Sequence, residues 1–303
     1  MTLEALAAAI TGTRSISLDD HLPDFPILRI ANAQAEAAIA LHGAHLLDFR
    51  PVAAQPLLYL SPTTRTEEGQ PVRGGVPLCW PWFGPHPTEP AWPAHGCARD
   101  RFWRLIGVNE PSDGVTELAF SLPPESFPEA YRPGPFELTY SVTVGRALDL
   151  SLSTTNRGEQ PFVIGGALHS YFAVSGLEAV TVEGLEGLTY RDAVLGEEGR
   201  QEGPVRFDRH INRVYRAARP LAAIVDSGWQ RRIQVDAKGS RTTVVWNAWS
   251  TQAADFRDMP NEGYKHFVCV ETANADDDLI TLGPGESHEL ACRITAAGLA
   301  PQT

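Results

Sequence analysis

From about residue 25 onward, apolar residues come in short runs broken by turn residues, and the long 3.6-period stretches of helices are missing. Residues 25–51, FPILRIANAQAEAAIALHGAHLLDFRP, read as three strands with Gly43 at a turn. LLYLSP, from Leu57, is another short strand. Residues 105–122 form a hairpin pattern with Asp113 and Gly114 at its tip. Residues 136–158 alternate apolar and polar positions and read as two strands joined at 145–147. ALHSYFAV (167–174), RTTVVWNAW (241–249), HFVCVETAN (266–274) and HELACRITAA (288–297) each read as one strand, with weaker ones at 179–190 and 231–234. Residues 194–206 read as a surface loop. The best helix candidate, residues 3–10, lies in a peripheral segment spanning 1–20.

Closely spaced strands without intervening helices argue against βαβ units. They predict an all-β fold: one large antiparallel β-sandwich over residues 1–303, with few short helices. No run of about 18 apolar residues is present, so no membrane-spanning helix is expected. The N-terminal apolar run contains Glu4 and has no preceding positive charge, which does not fit a signal peptide. Cys79, Cys97, Cys269 and Cys292 show no CxxC spacing and are expected to stay reduced, in the cytoplasm. The net charge of −12 and the lack of a basic stripe exclude nucleic acid and anionic membranes as expected partners. An anionic small molecule would need a local basic pocket.

Two polar residues interrupt apolar strands: His169 in VIGGALHSYFAV and Glu271 in HFVCVETANA. A histidine there often has a purely structural role. A buried carboxylate is costly unless it meets a cation or does chemistry. The segment GQPVRGGVPLCWPWFGPHP, 69–87, is too rich in Gly, Pro and aromatics for a regular strand. It reads either as a rigid plug or as a binding wall in which Trp80, Trp82 and Phe83 offer flat faces to a sugar ring. Arg73 precedes Gly74 and Gly75, which would let a ligand approach the backbone, and arginine can hold phosphate in a two-pronged contact. His95 and Arg99 follow in PAHGCARDRFW. HxxxH and HxxEH spacings are absent, so no metal site is expected. There is no GxSxG elbow for a serine hydrolase.

Taken together and in order, RGGVPLCWPWFG, HGCAR, ALHSYF, NRVY, WNAW and FVCVETAN resemble the aldose 1-epimerase superfamily. The likeness is to its hexose-6-phosphate mutarotase branch, over residues 41–293. The resemblance implies a galactose mutarotase-like supersandwich that interconverts the α and β anomers of a sugar phosphate without a cofactor. It implies His169 as general acid and Glu271 as general base. Arg73, His95, Arg99, Asn212 and Trp82 would bind substrate. Asn212 stands where many relatives carry aspartate, and Ala94 precedes HGCAR where a polar residue is common. A mutarotase for unphosphorylated aldoses and a non-catalytic carbohydrate-binding module are the alternatives. A monomer is the expected state.

Overall fold

The computed structural model describes residues 2–22, 24–67, 70–216 and 221–299; Met1 and Gly69, which begin two of the segments above, lie outside this set. Helix α1 (Leu3–Ala9) starts on Thr2, whose hydroxyl accepts from the Ala5 amide. The strands β1 (Ile16–Asp19), β2 (Ile27–Ala31), β3 (Ala35–Ala40) and β4 (His45–Pro51) form a four-stranded sheet in chain order. Residues 16–19 of the N-terminal segment are therefore strand, not helix.

Next come β5 (Leu78–Cys79), β6 (Arg104–Ser112), β7 (Val115–Leu122), β8 (Phe136–Val144) and β9 (Leu148–Asn156). They are followed by β10 (Phe162–Ile164), β11 (Gly166–Leu168), β12 (Tyr171–Ala173), β13 (Val180–Glu183), β14 (Thr189–Asp192) and β15 (Glu197–Arg200). The chain continues through β16 (Ile211–Arg216), β17 (Leu221–Asp226), β18 (Arg231–Lys238) and β19 (Thr242–Asn247). After the short helix α2 (Trp249–Ala253) it ends in β20 (Phe267–Asn274), β21 (Ile280–Leu282) and β22 (Ser287–Gly298).

One eight-stranded sheet runs β13-β17-β18-β22-β9-β8-β7-β6; the other runs β15-β14-β16-β19-β20-β11-β5, with β12 also paired to β20. The ladders between strands described here are antiparallel, as the run pattern predicts. The alternation in β8 and β9 has a direct outcome: Leu138, Tyr140, Val142, Leu150 and Leu152 are buried while their neighbours are more exposed. Their side chains join those of Val245, Val268 and Val270 in one hydrophobic core.

Three expectations change. Residues 57–61 make only isolated bridges, Leu58 with Phe172 and Leu60 with Gly74, because the backbone there is divided among β4, β12 and the loop at 73–75. The run 167–174 is two strands, β11 and β12, broken at His169 and Ser170. The segment 194–206 contains β15, which closes the sheet edge beside β14. Strands β1, β10, β16, β17 and β21 carry too few alternating positions to stand out in the sequence. No helix among the described residues is long and apolar enough to cross a membrane.

Candidate active site

Strand β20 is the floor. Its eight residues are all buried, and it is paired with β19 on one side and with β11 and β12 on the other. Side chains alternate across a strand, so Val268 and Val270 enter the core between the sheets. Cys269 and Glu271 emerge on the opposite face. The registers then build two rows on that face. Asn212, Trp246, Cys269 and Tyr171 stand side by side across β16, β19, β20 and β12. Val214, Val244 and Glu271 form the next row, which ends at the gap between β11 and β12.

His169 occupies that gap. Its amide donates to Pro77 O at 3.1 Å, and the Tyr171 amide donates to Gly75 O at 2.9 Å, so the 71–79 loop takes over where the strand ladder lapses. The His169 ring stacks on Tyr171 with centroids 5.0 Å apart and meets Trp246 edge-on at 6.0 Å. Its Nε2 lies 3.5 Å from Glu271 Oε1. Nδ1 of His169 and Oε2 of Glu271 are buried without a hydrogen-bond partner.

A cavity of about 250 Å3 opens over this pair, just below the roughly 300–1,000 Å3 usual for ligand pockets. Arg73, His95, Arg99 and Asn212 line it with His169 and Glu271. The wall also includes Tyr171, Trp246, Gln252 and Phe256, which sequence reasoning did not single out. Gln252 and Phe256 come from α2 and the turn after it. Gln252 Oε1 accepts from Trp246 Nε1 at 3.3 Å. Nothing in the local pattern of that polar connection marks it as part of a site.

Arg73 is tightly held. Its guanidinium lies 4.1 Å above the Phe256 ring, and it donates to Asp258 and to the Tyr171 hydroxyl, each at 3.3 Å. Arg99 donates to Ala94 O at 3.1 Å, while its buried Nε has no hydrogen-bond partner and lies 3.9 Å from Asp100 Oδ1. His95 adopts a left-handed backbone (φ 69°), and its Nδ1 accepts from the Gly84 amide at 3.2 Å. That bond puts the ring proton of neutral His95 on Nε2. Burial, with help from Arg99 and Arg73, pushes its pKa down to about 3.

Two expected roles move. Trp82 does not line this cavity. It lies in an adjoining one of about 580 Å3, packed against Trp92 and His86, with Nε1 donating to Pro93 O. Trp80 is 1% exposed and packs against Phe127 and Phe136 in the core. Of the loop aromatics, Phe83 reaches the pair's cavity. Gly74 and Gly75 face protein, not ligand. A Cβ on Gly75 would sit 2.2 Å from Leu46 O, and one on Gly74 would sit 2.4 Å from Tyr59 O.

The electrostatics also differ from a simple ion pair. Proximity alone favours the charged forms of an imidazole and a carboxylate. Here burial dominates: it raises the Glu271 pKa well above the usual 4.5, and the Arg99 charge offsets this only in part. Burial likewise drives the His169 pKa well below 6.5, reinforced by His95 and Arg99. Both shifts run against an ion pair: burial favours the protonated carboxyl group and the neutral imidazole.

A thiol lies beside the pair. The Cys269 sulfur, a His169 ring nitrogen and a Glu271 oxygen all lie within 4.8 Å of one another.

Relatives agree with this architecture. Residues 26–295 match the family model described as "Aldose 1-epimerase". Two relatives carry the name "Putative glucose-6-phosphate 1-epimerase". The one from Escherichia coli (strain K12) is 36% identical over 84% of this chain and 85% of its own. The one from Salmonella typhimurium is 38% identical over 84% and 85%. A crystal structure of YeaD from Salmonella typhimurium, described as "a putative mutarotase", superposes with a TM-score of 0.87 at 34% identity, covering 95% of each chain. A galactose mutarotase-like protein from Clostridium acetobutylicum shares the fold at 16% identity, with a TM-score of 0.69. With the family model covering most of its length, this chain belongs to the aldose 1-epimerase family.

Proposed function

We propose that the chain acts as one catalytic unit that interconverts the α and β anomers of a hexose 6-phosphate, with glucose 6-phosphate as substrate. One observation carries this reading. The His169–Glu271 pair, 3.5 Å apart, shares a small cavity with two arginines. A lectin needs neither an acid nor a base there, and a free-sugar site has less use for two cations.

Anomer exchange breaks the C1–O5 bond and makes a C1–O1 carbonyl. The proton on O1 leaves and one arrives on O5. Glu271 takes the first and His169 supplies the second. The aldehyde turns about C1–C2, and reclosure runs the transfers backwards on its other face. Glu271 as carboxylate with protonated His169 holds the same number of protons as protonated Glu271 with neutral His169. Substrate docking therefore needs only a shift of one proton across 3.5 Å, not exchange with solvent. The Arg99 charge favours the ionised carboxylate. Each positioned acid or base contributes roughly 100- to 10,000-fold.

Arg73 and Arg99 hold the phosphate and so orient the ring. The Nε2–H of His95 and the side chains of Asn212 and Gln252 offer hydrogen bonds to hydroxyls. The four free cysteines, all buried, support a cytoplasmic setting. The pairing of Arg73 with Asp258 favours a second reading, a mutarotase for unphosphorylated aldoses, because it already neutralises one cation.

Anomer-resolved NMR exchange on glucose 6-phosphate and on glucose tests both. The proposal expects kcat/KM at least about tenfold higher on the phosphorylated sugar, a difference of about 1.4 kcal/mol. A preference for glucose would install the second reading. Binding without any rate enhancement would sink both.

A further inference from the structure

Cys269 has no part in the reaction above, yet it stands on the catalytic face two residues before Glu271. Its sulfur lies within 4.8 Å of a His169 nitrogen and a Glu271 oxygen, and all three residues are buried. His169 Nδ1 and Glu271 Oε2 also lack hydrogen-bond partners. Buried polar atoms are nearly always partnered, so the two orphans mark side chains with spare bonding capacity, and the convergence of one donor from each of the three residues gives a ligand a common point to bind.

We propose that His169, Cys269 and Glu271 bind a zinc-class divalent cation, and that the bound ion blocks the acid/base pair. The donor set decides the class of ion. An imidazole nitrogen, a thiolate and a carboxylate are the three ligand types that zinc accepts, in a four-coordinate site. Magnesium and calcium want oxygen ligands and gain little from sulfur or nitrogen.

The distances fit after a small adjustment. Zinc bonds of about 2.0–2.3 Å at tetrahedral angles place ligand atoms roughly 3.3–3.8 Å apart. The imidazole and carboxylate already stand 3.5 Å apart. The thiol closes the remaining distance by a side-chain shift of about 1 Å. The thiolate and the carboxylate cancel the two charges of the ion, which lets it sit near Arg73 and Arg99. Its fourth position is left for water or a sugar hydroxyl. Binding displaces the thiol proton, and the carboxyl proton when present, into solvent, so affinity rises with pH. Once the ion takes lone pairs of the imidazole and the carboxylate, neither can shuttle a proton. The blocking rests on the acid/base reading; the binding does not.

Cobalt(II) is the probe that separates these. Titrated into the metal-free full chain, it is expected to give a thiolate-to-cobalt charge-transfer band in the near ultraviolet, absent in Cys269→Ala and Cys269→Val. Two variants are used because one leaves a gap and the other fills it. Zinc affinity should fall at least about tenfold in both, about 1.4 kcal/mol. Zinc should slow anomer exchange by the wild type, while both variants keep their basal rate and lose the zinc sensitivity. Absence of the thiolate band in the wild type, or equal zinc affinity in all three proteins, overturns the site. A band without any effect on rate overturns the blocking. A band that persists while His169 or Glu271 variants keep full activity overturns the acid/base reading and leaves the site standing.

Discussion

Replacing Glu271 by glutamine changes one property almost alone. The side chain keeps its shape and can no longer take a proton. If Glu271 is the base, the rate of anomer exchange should fall by roughly 100- to 10,000-fold, or about 2.7–5.4 kcal/mol of barrier. Stability should move the other way. The carboxyl group is 1% exposed, and its Oε2 has no partner. Its pKa is raised from the usual 4.5 by burial. Between 4.5 and that higher value, the folded chain keeps a proton that the unfolded chain has released. Wild-type stability therefore declines as pH rises through this window, by at most about 1.4 kcal/mol per pH unit. Glutamine has no such titration. His169, whose pKa is lowered, adds its own penalty below 6.5, but both proteins carry it and it cancels in the difference. Urea unfolding at a series of pH values, with the rate measured on the same samples, supplies both quantities. The expected result is a slow variant whose stability advantage grows with pH. A rate within about tenfold of wild type, or a stability difference that does not change with pH, refutes the reasoning.

Arg73→Ala and Arg99→Ala should each raise KM for glucose 6-phosphate about 10- to 100-fold, as expected for losing a charged hydrogen bond of about 1.5–3 kcal/mol, with little change for glucose. Equal effects on the two sugars would make these arginines structural. The double variant His169→Gln/Glu271→Gln should be no slower than the slower single variant, because acid and base act as one unit; multiplicative losses in rate assays would contradict this. Gly96→Ala should cost at least about 2 kcal/mol in denaturant unfolding. At φ 67°, its Cβ would lie 2.0 Å from Trp80 O, where the two site loops bridge.

The sequence shows the frame where alternation is strong. β8 and β9 were legible because each packs an apolar face into the core at period two, and β19 and β20 because they are apolar-rich runs buried on both faces. His169 and Glu271 stood out as polar interruptions of such runs. The family likeness then supplied the arginines and His95, which a lone sequence marks only weakly. Two things stayed hidden. The gap between β11 and β12 depends on the 71–79 loop arriving from elsewhere to take the His169 and Tyr171 amides. Gln252 and Phe256 reach the cavity, and Asp258 reaches Arg73, through the path of the chain after β19, which no local period encodes. Trp82 and Trp80 misled for a related reason. An aromatic in a Gly/Pro-rich loop suits a sugar face and a core plug equally well, and only packing decides between them.

The interrupted ladder beside β20 gives the proposed acid and the proposed base unequal supports. The carboxylate is carried by a strand bonded along both edges and so inherits its coordinates from the whole sheet. The imidazole sits at a two-residue break between short strands, held there by the 71–79 loop. Positions 169–170 belong to no strand pair, so a change there alters the approach of the imidazole while the pairing of β20 with β11, β12 and β19 stays as it is.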